Sequence, residues 1–320
     1  MNNRRLGRTG IVSSAVGLGC LGFTGAYGHA GRAQSIMVVR AALDVGITML
    51  ALADFYRGGA VERLVGEALG SSRSRMLIAT QGGTRFSESG QPTGVDTSPA
   101  YLRRACDASL RRLRTDHVDV YFLARPDHKV PIEDSVATLA ELVGEGKIGG
   151  IGLCDASVTT LRRAHAVHPV TAVAAEYSLW HRRPEQDILP AARDLAVGFV
   201  ACRPLGRGFL TGQVTSASQL GASDERHGDS RFTEASLVRA RPQLQGAQEM
   251  AARRNVGVGR LALAWLLAQA DYVIPVPGTR STLHAEMNAS AASVAISPGE
   301  CQRLSALFPA SAGVAGGPRS

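Results

Sequence analysis

The sequence predicts an α/β fold of one kind, a (β/α)8 TIM barrel entered through an N-terminal β-hairpin. Three observations predict it. Short apolar runs alternate with amphipathic stretches of helical spacing, eight times between Val16 and Ala292. Most apolar runs empty into polar residues, as parallel strands do at the end of a barrel where chemistry collects. The 320 residues suit one closed barrel, and no stretch has the composition of an interdomain linker. The expected organisation is therefore a single domain over 1–320, with 311–320, rich in Gly, Ala, Pro and Ser, as a flexible tail.

Each element follows in order. Residues 4–13 read as a hairpin turning at Arg8-Thr9-Gly10. Val16–Cys20 is the first barrel strand. Ser35–Val45 is helical, with Ile36, Val39 and Leu43 on one side. Met49–Leu52 is the second strand, and it delivers Asp54, Phe55, Tyr56 and Arg57 to a loop. Helix Val61–Leu69 and strand Met76–Thr80 come next. Ser98 and Pro99 open a helix to about Arg114, the first as cap and the second in the first turn. Strand Val118–Leu123, helix Pro131–Glu145, strand Ile148–Leu153 and helix Ser157–Val167 continue the alternation. Strand Thr171–Ala175, helix Gln186–Leu195 and strand Gly198–Cys202 lead into a long polar stretch, about 203–241. A stretch of that length reads as a lid or as disorder. Helices Pro242–Arg254 and Gly259–Ala270, strand Tyr272–Val276, helix Thr282–Ala292 and a short helix at 298–307 complete the chain. Gly17-Leu18-Gly19-Cys20-Leu21-Gly22 is formally GxGxxG, but no helix follows directly and Asp44 lies inside the next helix, so a Rossmann site is disfavoured.

Composition narrows the function. Hydrophobic residues at 45%, charged residues at 19% and a mean hydropathy of +0.01 fit a soluble globular enzyme. No apolar run approaches the roughly 20 residues that span a bilayer, and the N-terminus lacks the apolar core of a signal peptide, so a cytoplasmic protein without membrane contact is expected. The five cysteines, Cys20, Cys106, Cys154, Cys202 and Cys301, are odd in number and widely spaced, which argues against a disulfide framework or a zinc knuckle; no metal is expected. The net charge of +8 fits either Arg-rich helices such as 101–114 or attraction to an anionic ligand. Aromatics at 5% and scattered arginines argue against a nucleic-acid partner. The expected partner is a small molecule, and the oligomeric state is open.

Several phrases carry a resemblance. Arg5-Leu6-Gly7-Arg8-Thr9-Gly10, Glu176-Tyr177-Ser178-Leu179-Trp180, Pro204-Leu205-Gly206-Arg207-Gly208-Phe209-Leu210-Thr211-Gly212 and Ile274-Pro275-Val276-Pro277-Gly278-Thr279-Arg280 resemble the aldo-keto reductase superfamily, over about Arg5 to Phe308. The resemblance implies a barrel that reduces carbonyls with NADPH, through Asp, Tyr, Lys and His at the ends of strands two, three and four. Tyr56 matches the family's general acid. The positions that match the Asp, Lys and His are Ala51, Gln81 and Ala124. Where the family grips nicotinamide, this chain has Cys154-Asp155, Ala175 and Cys202-Arg203. The adenine-phosphate end matches better: Gly278, Thr279, Arg280, Ser281, His284 and Asn288 resemble the loop and helix start that hold NADPH, with Met287 where a glutamate is usual.

Tyr56, Asp155 and Arg203 are thus the candidate catalytic residues. A tyrosine ordinarily titrates near 10 and needs a neighbouring cation to act near neutrality. Three functions follow as expectations. The first is a barrel repurposed for a non-redox step, such as cyclisation, dehydration or isomerisation, on a small metabolite. The second is a divergent NADPH-dependent reductase. The third is a binding barrel without catalysis.

Overall fold

The computed structural model of the protein describes residues 2–87 and 90–310; the tail expected at 311–320 lies outside the described residues. Strands β1 (Asn3–Arg5) and β2 (Val12–Ser14) form the expected antiparallel hairpin. Its Leu6 is fully buried and plugs the bottom of the barrel, where Gly198 leaves room: a Cβ there would sit 2.8 Å from Leu6 Cδ2.

The barrel then alternates as predicted. In order come β3 (Leu18–Gly19), α1 (Arg32–Asp44), β4 (Met49–Ala51), α2 (Ala60–Leu69) and β5 (Leu77–Gly82). A second hairpin, β6 (Thr84–Phe86) and β7 (Pro92–Val95), interrupts the rhythm at the mouth; it was not legible in the sequence. Next are α3 (Pro99–Leu113), β8 (Val120–Leu123), α4 (Ile132–Gly144), β9 (Ile151–Cys154), α5 (Val158–Val167), β10 (Val170–Glu176), α6 (Ile188–Asp194) and β11 (Gly198–Cys202). The chain ends with α7 (Glu234–Ala252), α8 (Val258–Leu267), β12 (Val273–Pro275), α9 (Thr282–Ser290) and α10 (Pro298–Leu307).

Eight strands, β3, β4, β5, β8, β9, β10, β11 and β12, form one parallel sheet in that order. Its two edges meet. Gly17 N donates to Pro275 O at 2.9 Å, Gly19 N donates to Pro277 O at 3.1 Å, and Gly19 bridges Gly278 in parallel. Proline has no N–H to offer a neighbour, so at this seam the hydrogen bonds run from the glycine side. The alternation of strand side chains makes two cores. Met49, Leu77, Ala79, Val120, Phe122, Ala174, Val200 and Ile274 fill the barrel. Leu50, Ile78, Tyr121, Leu153, Val173 and Phe199 face the helices.

Two expectations need correction. Helix α7 starts at Glu234, not at Pro242, which lies inside it. Thr233 caps it by accepting from Ser236 N, and the buried face formed by Leu237, Ala240 and Leu244 continues across the proline, offsetting a cost of about 3 kcal/mol. The stretch after β11 is also not disordered. It folds into four 3-10 turns, Gly206–Thr211, Ala217–Gln219, Glu225–Gly228 and Ser230–Phe232. Asp224 and Asp229 each pair with the arginine two residues on, at 2.6 Å to Arg226 and 2.7 Å to Arg231. Trp180 stacks on Phe209, with ring centroids 4.0 Å apart.

Candidate active site

The C-terminal ends of the strands open into a cavity of about 1490 Å³. Tyr56 reaches it on the turn after β4. That turn is tied to the neighbouring strand where Asp54 N donates to Gln81 O at 2.9 Å, and Phe55 meets the Tyr56 ring edge-on at 5.1 Å. Ala51, Gln81, Ala124, Cys154 and Cys202 line the cavity with it. Burial pushes the Tyr56 hydroxyl above its ordinary value, Cys202 adds to this, and Arg203 opposes it. Two methyl groups and a neutral carboxamide at positions 51, 124 and 81 supply no charge of their own.

Asp155 and Arg203 follow β9 and β11, and both have left-handed backbone, with φ of 47° and 48°. That conformation costs a non-glycine residue roughly 1–2 kcal/mol. Asp155 N is held by Ala174 O at 2.9 Å. Its carboxyl is raised by partial withdrawal from water, against the pull of Arg203 and Arg125. Arg203 Nη1 lies 3.4 Å from Glu176, whose other oxygen accepts from Arg231 Nη1 at 2.6 Å. Burial works against the Arg203 charge, but Glu176 above all holds its pKa above the ordinary arginine value. The cavity thus brings Tyr56, Asp155 and Arg203 to one mouth.

Gly278, Thr279, Arg280, Ser281, His284 and Asn288 line the other end of the same cavity. Ser281 caps α9 by accepting from His284 N at 3.4 Å, and Thr279 Oγ1 accepts from Ser281 N at 3.0 Å. Arg280 Nη1 donates to His29 O at 2.8 Å, which draws the guanidinium over the loop after β3. Glycine is required close by: a Cβ on Gly19 would stand 2.7 Å from Val276 O. A helix N-terminus beside an arginine and two hydroxyls is a donor set that fits a phosphate. The residues therefore fit the phosphate end of a nicotinamide dinucleotide. At the Tyr56 end they offer a carboxylate, a guanidinium and two thiols.

Sequence reasoning missed Arg231 and Glu176 as the ion pair that fixes the rim. The signal was present in the repeated Asp-x-Arg of 224–226 and 229–231. Asp54, on the same loop as Tyr56, is 1% exposed and does not line the cavity. Asp54 lies behind the wall, where burial, then Glu62, lifts its carboxyl to about 8 against Arg112.

The comparisons with known proteins agree with this geometry. The sequence model of the Aldo/keto reductase family matches residues 15–308. A "Probable aldo-keto reductase 1" of Glycine max is 38% identical over 304 residues, 94% of this chain and 87% of that protein. Among solved structures, the holo form of an aldo-keto reductase from Bacillus halodurans superposes with a TM-score of 0.82 at 26% identity, covering 97% of both chains. An aldo-keto reductase from Klebsiella pneumoniae in complex with NADPH gives 0.74 at 25% identity, covering 97% of this chain and 96% of that one. With the barrel, its hairpin plug and the mouth already in place, these matches establish that the chain belongs to the aldo/keto reductase family.

Proposed function

We propose that this barrel catalyses a non-redox step, a cyclisation, dehydration or isomerisation, on a small metabolite bound at the strand ends. One observation carries the reading. Tyr56 is surrounded by Ala51, Gln81 and Ala124 where the family's reductase chemistry uses ionisable partners, while Asp155 and Arg203 stand at the same mouth. A buried tyrosine that stays above its usual range despite Arg203 is a poor proton donor at neutral pH. A carboxyl whose pKa is raised by burial, with a guanidinium that opposes the shift, suits proton transfer on a polar substrate instead. In this reading Asp155 moves the proton, Arg203 holds a negatively charged or polarised oxygen, and Tyr56 donates a hydrogen bond without ionising.

The test is incubation of the purified protein with candidate biosynthetic intermediates, with and without nicotinamide cofactor. Turnover that proceeds without cofactor supports the proposal, and strict dependence on NADPH sinks it.

A divergent NADPH-dependent carbonyl reductase is the second reading. It is favoured by the phosphate-type donor set at Thr279, Arg280 and Ser281 and by the Klebsiella relative that holds NADPH. Bound NADPH would supply a hydride; this chain's part would be to grip the phosphate at the start of α9 and to orient the substrate with Arg203. Fluorescence or calorimetric titration with NADPH decides whether that reading survives, since absence of binding at high cofactor concentration ends it.

A further inference from the structure

Four consecutive strands deliver charged residues to the rim: Arg125 after β8, Asp155 after β9, Glu176 at the end of β10 and Arg203 after β11. Glu176 is already occupied by Arg231 at 2.6 Å and by Arg203 at 3.4 Å. Arg231 is in turn paired with Asp229 at 2.7 Å, and Asp229 also meets Arg207 at 3.5 Å. Arg125 and Asp155 behave differently. Among the described residues neither side chain has a hydrogen bond or an ion pair, although both line the cavity. Adjacent strands are only about 4.8 Å apart, so two opposite charges at their ends could meet directly. Both are exposed at the mouth, and Arg125 acts on Asp155 only at longer range.

The charges do not balance. Among the described residues seven arginines line the cavity against three carboxylates, Asp155, Glu176 and Glu225, an excess of four positive charges. Arg203 spends one long contact on Glu176, its side chain is 37% exposed, and most of its donors are left for the cavity. A guanidinium with a single long ion-pair contact keeps donors free, and a monoanionic carboxylate can accept from them.

We propose that the mouth binds a small organic acid carrying a hydroxyl beside its carboxylate. Arg203 and Arg125 take the carboxylate, and the Asp155 carboxylate accepts from the neighbouring hydroxyl. A planar carboxylate suits the guanidinium fork, and a hydroxyl is what an otherwise unpaired carboxylate oxygen can receive. The inference rests on the reading of the mouth as the substrate pocket, and it holds whether the chemistry there is redox or not.

Calorimetry on the full-length protein at constant ionic strength tests it, with lactate and glycerate as probes against lactamide, glyceramide and propionate. The acids are expected to bind at least about tenfold more tightly than their amides, as charge-assisted bonds to arginine require. Lactate should also exceed propionate, and Asp155→Asn should narrow that second difference. Arg203→Met should erase the acid-over-amide preference, and Arg203→Lys should restore part of it. Equal binding of acid and amide by the wild-type protein, or no binding of the acids at millimolar concentration, overturns the inference; the wild-type series decides this even where a variant does not fold. A turnover that requires NADPH would remove the non-redox function and leave the carboxylate preference standing.

Discussion

Arg112 Nε donates to the buried carboxylate of Glu62 at 2.5 Å, an ion pair between α3 and α2. The other Glu62 oxygen accepts from Thr80 on β5 at 2.7 Å. Gly59 makes room for the arginine, since a Cβ there would sit 2.4 Å from Arg112 Cδ. The Glu62 side chain is 0% exposed, so removing its partner strands a charge. Arg112→Met should cost about 3–5 kcal/mol in urea unfolding. Adding Glu62→Gln should recover a large part of that loss. A double variant no more stable than Arg112→Met alone would show that the pair is not the cause.

Asp54 lies beside this pair and gives the protein a pH dependence of known sign. Its Oδ1 is buried with no hydrogen-bond partner among the described residues, and burial, then Glu62, raises the carboxyl to about 8. The unfolded chain binds that proton only below about 4. Between those values the folded state holds more protons at Asp54, so the contribution of this carboxyl is fullest below about pH 4, falls as pH rises toward 8, and levels off above. Asp54→Asn removes the titration. Thermal unfolding from pH 5 to 9 should show a flatter profile for the variant, with a difference on the order of 2–5 kcal/mol across the window. Parallel profiles would place the proton elsewhere.

Much of this fold was legible because its signals are local and periodic. Apolar runs such as Met76–Thr80 and Gly198–Cys202 read as strands buried on both faces, and Pro99 marks a helix start, although the Ser98 hydroxyl donates to Asp96 Oδ1 and does not cap the helix. What failed was non-local. The helix through Pro242 depends on a buried face that sequence cannot locate, and hairpin β6–β7 gains support from tertiary contact, with Tyr101 hydroxyl donating to Thr84 O at 2.7 Å. The site was legible in outline, because strand ends gather residues by topology: Tyr56, Asp155 and Arg203 do share one cavity. The pairing of Glu176 with Arg231 was not, since it joins residues 55 apart in the chain.

The cysteines at the mouth should be unreactive. Burial pushes the Cys202 thiol up to about 12 against Arg203, and it drives Cys154 well above the ordinary value, with Cys202 adding. The thiolate is the nucleophile, so almost none is present near neutrality. Iodoacetamide at pH 7.5 should modify Cys154 and Cys202 at least about tenfold more slowly than a free cysteine, read by mass spectrometry of peptides. Fast, selective labelling of either would contradict this and would make that thiol a candidate nucleophile.

The start of α9 makes the last prediction. Arg280 stands at its N-terminus with Ser281 as cap, and the guanidinium donates to His29 O, which joins this helix to the loop after β3. A phosphate placed there meets a guanidinium, backbone N–H groups and the positive end of the helix together. The 2′-phosphate is what separates NADPH from NADH. If a dinucleotide binds, Arg280→Met should therefore weaken NADPH by about 10- to 100-fold, the loss of one charge-assisted contact, and leave NADH within about twofold. Fluorescence titration of both cofactors against both proteins reads the difference directly. Equal losses for the two cofactors would mean that Arg280 acts by holding the β3 loop through His29 and not by meeting the phosphate.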